Sequence, residues 1–348
     1  MARSLTNRKV PHTSHAYSDH RQRDTSPTGA MASPPGPTLA MRIAIIGNGQ
    51  LGSALEALLR TDPTWQGSAV TVLGHDTLDI RDAAAVEAKL GELAAELVIN
   101  AAAYNQVDEA EMDPETAFAV NAIGPGRLAR AARVLNARLV HVSTDYVFSG
   151  ELLAGQVTDS GYREADLPAP RSVYGASKLA GEHRVLANAP DALVVRTSGV
   201  YGPRPDGRGK RSFVEAILAQ AEAGTALRVV NDQRLGPTYA VDLAAAILAL
   251  ARLPASGLIH ASNAGSCSWY EFARAILELA GSGVPIEPVP SSARPTPAYR
   301  PPYSVLDNGR LRELGIEMPR WRDALARYMH ARMAEVELLA TPALRVAR

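Results

Sequence analysis

The sequence predicts an α/β fold: a Rossmann-type, doubly wound parallel sheet with a smaller α/β substrate-binding region toward the C-terminus. Three observations carry this. From Met41, short apolar runs alternate with segments of helical periodicity. A glycine-rich turn, Gly47–Gly52, stands between the first run and the first helix. After about residue 200 the rhythm loosens, and proline becomes frequent between Pro285 and Pro302. Strands alternating with helices need crossover connections, and the crossovers cover both faces of a parallel sheet.

Taken in order, Arg42–Ile46, Ala69–Leu73, Leu97–Ala101, Arg138–Ser143 and Ala192–Thr197 read as short buried strands. Between them, Ser53–Arg60, Ala83–Glu96, Pro114–Asn136 and Tyr174–Ala189 read as helices, with Gly124–Gly126 expected to bend or break the third. Later helices are expected at Ser212–Ala223, Ala240–Arg252, Trp269–Gly281 and Trp321–Glu335. Residues 41–200 are assigned to the dinucleotide-binding domain, with some later segments crossing back, and 201–335 mainly to the far wall of a cleft. Residues 336–348 form a tail. Residues 1–40, rich in Ser, Thr, Pro and Arg with no apolar period, are expected to be disordered, so that Met41 opens the fold.

Composition narrows the function. Lys+Arg and Asp+Glu are equal at 36 each among 348 residues, which leaves no net basic field for nucleic acid or an anionic membrane. No apolar run reaches the ~18–20 residues that cross a bilayer. The single cysteine, Cys267, excludes a disulfide framework or a cysteine zinc site and fits cytoplasmic residence.

The turn Gly47-Asn48-Gly49-Gln50-Leu51-Gly52 matches G-x-G-x-x-G, placed after a strand and opening a helix. One glycine makes the tight turn, one admits the pyrophosphate, and one permits close helix–strand packing. The helix N-terminus offers free N–H groups to the phosphates. At the end of the second strand, Asp76 is a candidate acceptor for an adenosine ribose hydroxyl, with Asp79-Ile80 at the adenine edge. No Arg directly follows that strand, so NADH and NADPH both remain open.

Tyr174-Gly175-Ala176-Ser177-Lys178 is a Y-x-x-x-K pair, one turn apart on a helix face. A phenol titrates near ~10 in water, and a neighbouring ammonium is expected to lower that value. Such a tyrosine can protonate a carbonyl oxygen as hydride reaches the carbon. Thr144, where the fourth strand runs out, is placed to donate to the same oxygen. Together these elements predict hydride chemistry on a nicotinamide cofactor.

From Met41 to about Tyr328 the chain resembles the extended short-chain dehydrogenase/reductases, and among them the dTDP-4-dehydrorhamnose reductase family. The matching strings include Asn100-Ala101-Ala102-Ala103-Tyr104, Val107-Asp108-Glu109-Ala110-Glu111, Ser143-Thr144-Asp145-Tyr146-Val147-Phe148 and Tyr174–Glu182. Arg300-Pro301-Pro302-Tyr303-Ser304-Val305-Leu306-Asp307 extends the likeness late in the chain. The resemblance implies reduction of the C4 ketone of dTDP-4-dehydro-L-rhamnose by NADPH or NADH. It implies Tyr174 as proton donor, Lys178 as its partner and ribose anchor, and Thr144 as the carbonyl hydrogen-bond donor. Gly47, Gly49, Gln50, Leu51, Gly52, Asp79, Ile80, Ala102, Ala103, Tyr104 and Asn105 are the implied cofactor contacts. Asp145 and Tyr146 are implied sugar contacts, and Asn121 a structural residue behind the site.

Three departures stand out. Gly47 and Gly49 are one residue closer than the superfamily's usual spacing, which tightens the turn. Gly199 takes the place of a sugar-contacting tryptophan, so an apolar pocket wall is expected to be missing there. Ser53-Ala54 replaces the glutamate some members use for metal-bridged dimers, so no metal is expected, and monomer and homodimer stay open. A reductase or epimerase of a related nucleotide sugar, motivated by Gly199 and the stretch Glu151–Arg163, and a non-catalytic regulatory subunit of the same fold are the competing readings.

Overall fold

The computed structural model describes residues 40–151, 161–203 and 211–340. The N-terminal stretch before residue 40, most of the stretch Glu151–Arg163 and the end of the tail lie outside the described residues.

The first half runs β1 (Arg42–Ile46), α1 (Gln50–Thr61), β2 (Ala69–Leu73), α2 (Ala83–Glu92), β3 (Leu97–Asn100), α3 (Val107–Met112), α4 (Pro114–Phe118), α5 (Gly124–Val134), β4 (Arg138–Thr144), α6 (Val173–Asn188) and β5 (Leu193–Thr197). The second half runs β6 (Val200–Tyr201), α7 (Phe213–Glu222), β7 (Leu227–Val230), β8 (Arg234–Leu235), β9 (Thr238–Tyr239), α8 (Ala240–Ala251), β10 (Gly257–His260), β11 (Cys267–Ser268), α9 (Trp269–Leu279), β12 (Ile286–Val289), α10 (Gly309–Glu313) and α11 (Trp321–Ala340). Six strands form one parallel sheet in the order β10-β5-β4-β3-β1-β2. The chain leaves β1 toward β2 on one side and returns to β3 on the other, so the topological switch lies between β1 and β3.

Alternate strand residues serve opposite cores. Ile43, Ile45, Leu97, Ile99, Leu193, Val195 and Ile259 pack against Leu51 and Leu55 of α1 and Leu243 and Ile247 of α8. Ala44, Ile46, Val98, Leu139 and Val194 pack the other way, against α2, α5 and α6 through Val86, Leu90, Leu128 and Val185. Burial on both faces is why these strands read as continuous apolar runs. A third core gathers Val214, Leu227, Phe272, Ile276, Leu325 and Tyr328 from the second half of the chain.

The elements depart from the sequence expectation where the backbone does something local. Helix α2 stops at Glu92 because Ala94 takes a left-handed conformation, φ 43°. Helix α1 starts at Gln50, so Gly52 is helical rather than part of the turn. The expected helix over Pro114–Asn136 is interrupted before its glycines, by a π turn at Ala119–Ile123. Pro125 then falls in the first turn of α5, directly after the π turn. Helix α3 falls between the third expected strand and the third expected helix, where the sequence reading assigns no element.

The π turn lies where α6 crosses closely. A Cβ at Gly181 would run into the Asn121 carbonyl oxygen, a main-chain atom that cannot swing aside. Gly181→Ala is therefore expected to lower stability by about 1–3 kcal/mol through overpacking, read as a lower denaturation midpoint with unchanged slope in urea.

Candidate active site

The glycine turn is built at the switch. Gly47 holds φ +102°, and a Cβ there would come within 2.8 Å of the Ala102 main-chain nitrogen across the crevice. Only glycine suits that backbone and that contact. Gly52 lets α1 close on the turn, because a Cβ there would strike the Gly47 carbonyl. Gly49 differs from both: a Cβ there would meet nothing within 4 Å. Protein packing does not demand this glycine, so its free side is room for a ligand. The first turn of α1 has no side-chain cap at Gly49 and no acidic residue. Its N–H groups and positive dipole face that room, and this fits a dinucleotide pyrophosphate.

Around the crevice, Ala103 and Asn105 are exposed after β3, with Tyr104 half-buried between them. Asn121, fully buried, clamps this loop. Its Oδ1 accepts from the Tyr104 N–H at 2.9 Å, and its Nδ2 donates to the Tyr104 carbonyl at 3.0 Å and to Ser177 Oγ at 3.0 Å. The widened π turn presents this side chain to both the loop and α6. At the far edge, Asp76 is exposed after β2, whereas Asp79 is held by Arg81 through paired contacts of 3.0 and 2.8 Å. The Arg81 hydrogen bonds hold the Asp79 carboxyl down at about 2.

Thr144 ends β4, and Tyr174 lies in the first turn of α6. Two features bring them together. Ser172 caps α6 through the Gly175 N–H at 3.1 Å, and Glu111 of α3 accepts from the Val173 N–H at 2.8 Å. Gly175, lacking a Cβ, sits directly against the Tyr146 carbonyl. The Tyr174 ring meets Tyr146 edge-on at 5.7 Å, and its hydroxyl hydrogen-bonds Thr144.

Lys178, only 2% exposed, donates from Nζ to the Val142 carbonyl at 2.6 Å. Burial pulls this ammonium down to about 8, partly offset by the Glu182 charge. Burial also pushes the Tyr174 phenol up to about 12, against the opposing Thr144 hydrogen bond. The expected lowering of Tyr174 by Lys178 does not appear: burial dominates both groups by penalising their charged forms, and the side chains that act on the phenol are Thr144 and Asp145.

Glu182 lies one turn beyond Lys178, 1% exposed. It accepts from Ser143 Oγ at 2.6 Å and from Arg196 Nε and an Arg196 terminal nitrogen at 2.9 and 2.6 Å. One carboxylate thereby joins β4, β5 and α6 directly beneath the Thr144–Tyr174 pair. The sequence carried a signal for it. Arg196 stands in the otherwise apolar strand Leu193–Thr197, and a buried arginine requires a buried acid.

Asp145, expected at the sugar, is 3% exposed with both carboxylate oxygens engaged inside the protein. It accepts from Thr144 Oγ1 at 3.0 Å and Ser198 Oγ at 2.7 Å, and it also bonds the Ser304 hydroxyl. Gly199 meets a backbone demand. Its φ is +51°, and a Cβ would lie 2.7 Å from Leu235 Cδ1. On the opposite side, Arg300 pairs with Asp108 at 2.8 Å, tying the late loop to α3. The fully buried His141 and His260 hydrogen-bond Asn100 and the Tyr162 carbonyl.

A Rossmann sheet with a glycine cradle at its switch and a Thr–Tyr–Lys set at its carboxyl edge is the architecture of the extended short-chain dehydrogenase/reductases, nicotinamide-dependent oxidoreductases. Residues 41–333 match the RmlD substrate binding domain family, and the chain belongs to it. It is 43% identical over 289 residues to the dTDP-4-dehydrorhamnose reductase of Mycobacterium tuberculosis (strain H37Rv), covering 82% of this chain and 91% of the relative. It is 42% identical over 266 residues to a probable dTDP-4,6-dihydroxy-2-methyloxan-3-one 4-ketoreductase of Streptomyces antibioticus, covering 74% and 84%. A crystal structure of dTDP-4-dehydrorhamnose reductase from Bacillus anthracis in complex with NADP superimposes with a TM-score of 0.77 at 36% identity, covering 84% of this chain and all of the other. Among the described residues, no helix is long and apolar enough to cross a membrane.

Replacing Glu182 by Gln would leave Arg196 buried without a counter-charge. The expected loss is about 3–5 kcal/mol, measured as the change in unfolding free energy by denaturant titration.

Proposed function

We propose that this chain reduces the C4 ketone of dTDP-4-dehydro-L-rhamnose to the alcohol of dTDP-L-rhamnose, with Tyr174 as proton donor. The observation that carries the reading is that Tyr174 and the buried Lys178 share α6 and that Tyr174 lies beside Thr144 at the carboxyl end of β4. Membership of a family with dTDP-4-dehydrorhamnose reductases among its members supports the substrate class.

NADPH or NADH, when bound, supplies the hydride. The glycine turn and the first turn of α1 would hold its pyrophosphate, and Lys178 would hold its ribose. The protein's own task is to deliver one proton to the ketone oxygen. The Tyr174 phenol is protonated at neutral pH, and because burial raises it the phenolate left behind needs stabilising. The Lys178 ammonium, on the same helix face, stabilises the phenolate left when the proton departs. Below about 8 Lys178 is charged and this help is present; above it the help is lost.

Reduction of a related dTDP-4-keto sugar is the second reading, favoured by the similarity to the Streptomyces antibioticus ketoreductase. A panel of dTDP-4-keto sugars, with NADPH and NADH oxidation followed optically, separates the two readings. Preference for dTDP-4-dehydro-L-rhamnose supports the first, and preference for another sugar replaces it.

Two outcomes are expected. Tyr174→Phe loses about 10²–10⁴-fold in kcat while cofactor affinity, measured by titration, changes little. In the reductive direction, kcat/KM of the unaltered protein declines as pH rises through about 8, following the Lys178 charge.

A further inference from the structure

The hydrogen bonds around Thr144 raise a difficulty for its expected role. A hydroxyl carries one proton and two lone pairs. The Thr144 proton goes to Asp145 Oδ1 at 3.0 Å. One lone pair takes the Tyr146 N–H at 3.2 Å. A hydroxyl so committed cannot also donate to a substrate ketone. Asp145 controls this, because a carboxylate only accepts, whereas a carboxylic acid brings a proton of its own.

We propose that Asp145 is a positioning residue that decides where the Thr144 proton points: ionised, it takes that proton; protonated, it donates to Thr144 and frees the Thr144 proton for the ketone oxygen. No bond other than O–H···O is exchanged, and the added proton comes from solvent. The proposal rests on the reading of Tyr174 as proton donor, since both hydroxyls must meet at one oxygen.

The surroundings suit a group that changes state. Asp145 is buried, and desolvation raises its pKa above the ordinary carboxylate value. The hydroxyls of Thr144, Ser198 and Ser304 oppose that rise. These hydroxyls can donate to a carboxylate and rotate to accept from an acid, so either form is satisfied without moving the backbone. The titratable groups facing Asp145 are the phenols of Tyr146 and Tyr174, both pushed upward by burial and by the Asp145 charge. Arg300 and Asp108 form an ion pair whose two charges act on Tyr146 in opposite directions. Lys178 lies below, bound to the Val142 carbonyl and near Glu182. Direct ion pairing therefore does not fix Asp145 as a carboxylate.

Two variants and one control test this. Ser198→Ala removes a donor that favours the carboxylate, so the acid form should persist to higher pH. In the cofactor-free protein with ¹³C-labelled aspartate, the Asp145 carboxyl resonance, assigned by its loss in Asp145→Asn, should titrate at higher pH in Ser198→Ala than in the unaltered protein. The low-pH step in the reductive kcat profile should move upward with it. Asp145→Asn, neutral at every pH, should lack that step and keep only the decline near the Lys178 value. A resonance that titrates at the same pH in Ser198→Ala, or a kcat profile unaltered in Asp145→Asn, overturns the proposal. Tyr174→Phe is the control. If it loses activity while the Asp145 variants behave as the unaltered protein, the proton-donor reading stands and only the Asp145 role fails. If it keeps full kcat, the proton-donor reading fails, and this proposal with it.

Discussion

The active geometry depends on one buried carboxylate. Glu182 collects hydrogen bonds from Ser143 at the end of β4 and from Arg196 in β5, while its own helix carries Lys178 and Tyr174. Helix and sheet could otherwise slide along an apolar interface of Val185, Leu139 and Val194, because dispersion contacts specify no register. Charge-assisted bonds do specify one, since the arginine fork meets a carboxylate in few orientations. The ion pair costs desolvation and is weak evidence for stability as such. Its consequence here is positional: it fixes Thr144, the neighbour of Ser143, relative to a tyrosine two helical turns before Glu182.

The same layer explains the electrostatics. Asn100, His141, Ser143, Lys178, Glu182 and Arg196 are all buried near the carboxyl ends of the strands. Water is excluded, so desolvation dominates, raising the phenol of Tyr174 and lowering the ammonium of Lys178. A phenol so raised is neutral at pH 7, and its ionisation then depends on groups that stabilise the phenolate. Glu182 offsets part of the burial penalty on Lys178 and so keeps the ammonium available at neutral pH.

Much of this was legible in the sequence, for physical reasons. Strands covered on both faces show as apolar runs, and the glycine turn declares itself by spacing, so the sheet and the cofactor crevice were readable. The placement of Tyr174 and Lys178 on one helix and of Thr144 at a strand end was readable because their separations match a helix turn and a strand end. What escaped depends on contacts between distant segments. Asp145 looked like a sugar contact until Ser198 and Ser304 arrived from elsewhere to occupy it. The positive φ of Gly199 and the closeness of Leu235 depend on a segment far along the chain and have no local sign. The π turn has no local sequence signature of its own; its meaning lies in the Asn121 side chain that it presents to Tyr104 and Ser177.

The claim that the Glu182 lattice sets the reacting geometry is tested most directly by kcat of Ser143→Ala, measured with saturating cofactor and dTDP-4-dehydro sugar. Ser143 takes no part in proton delivery, yet it anchors the end of β4 to Glu182. A displacement of the neighbouring Thr144 by a fraction of an ångström should lower kcat by about 10–100-fold with KM for both ligands nearly unchanged. A variant that folds normally and turns over at the unaltered rate would contradict the account.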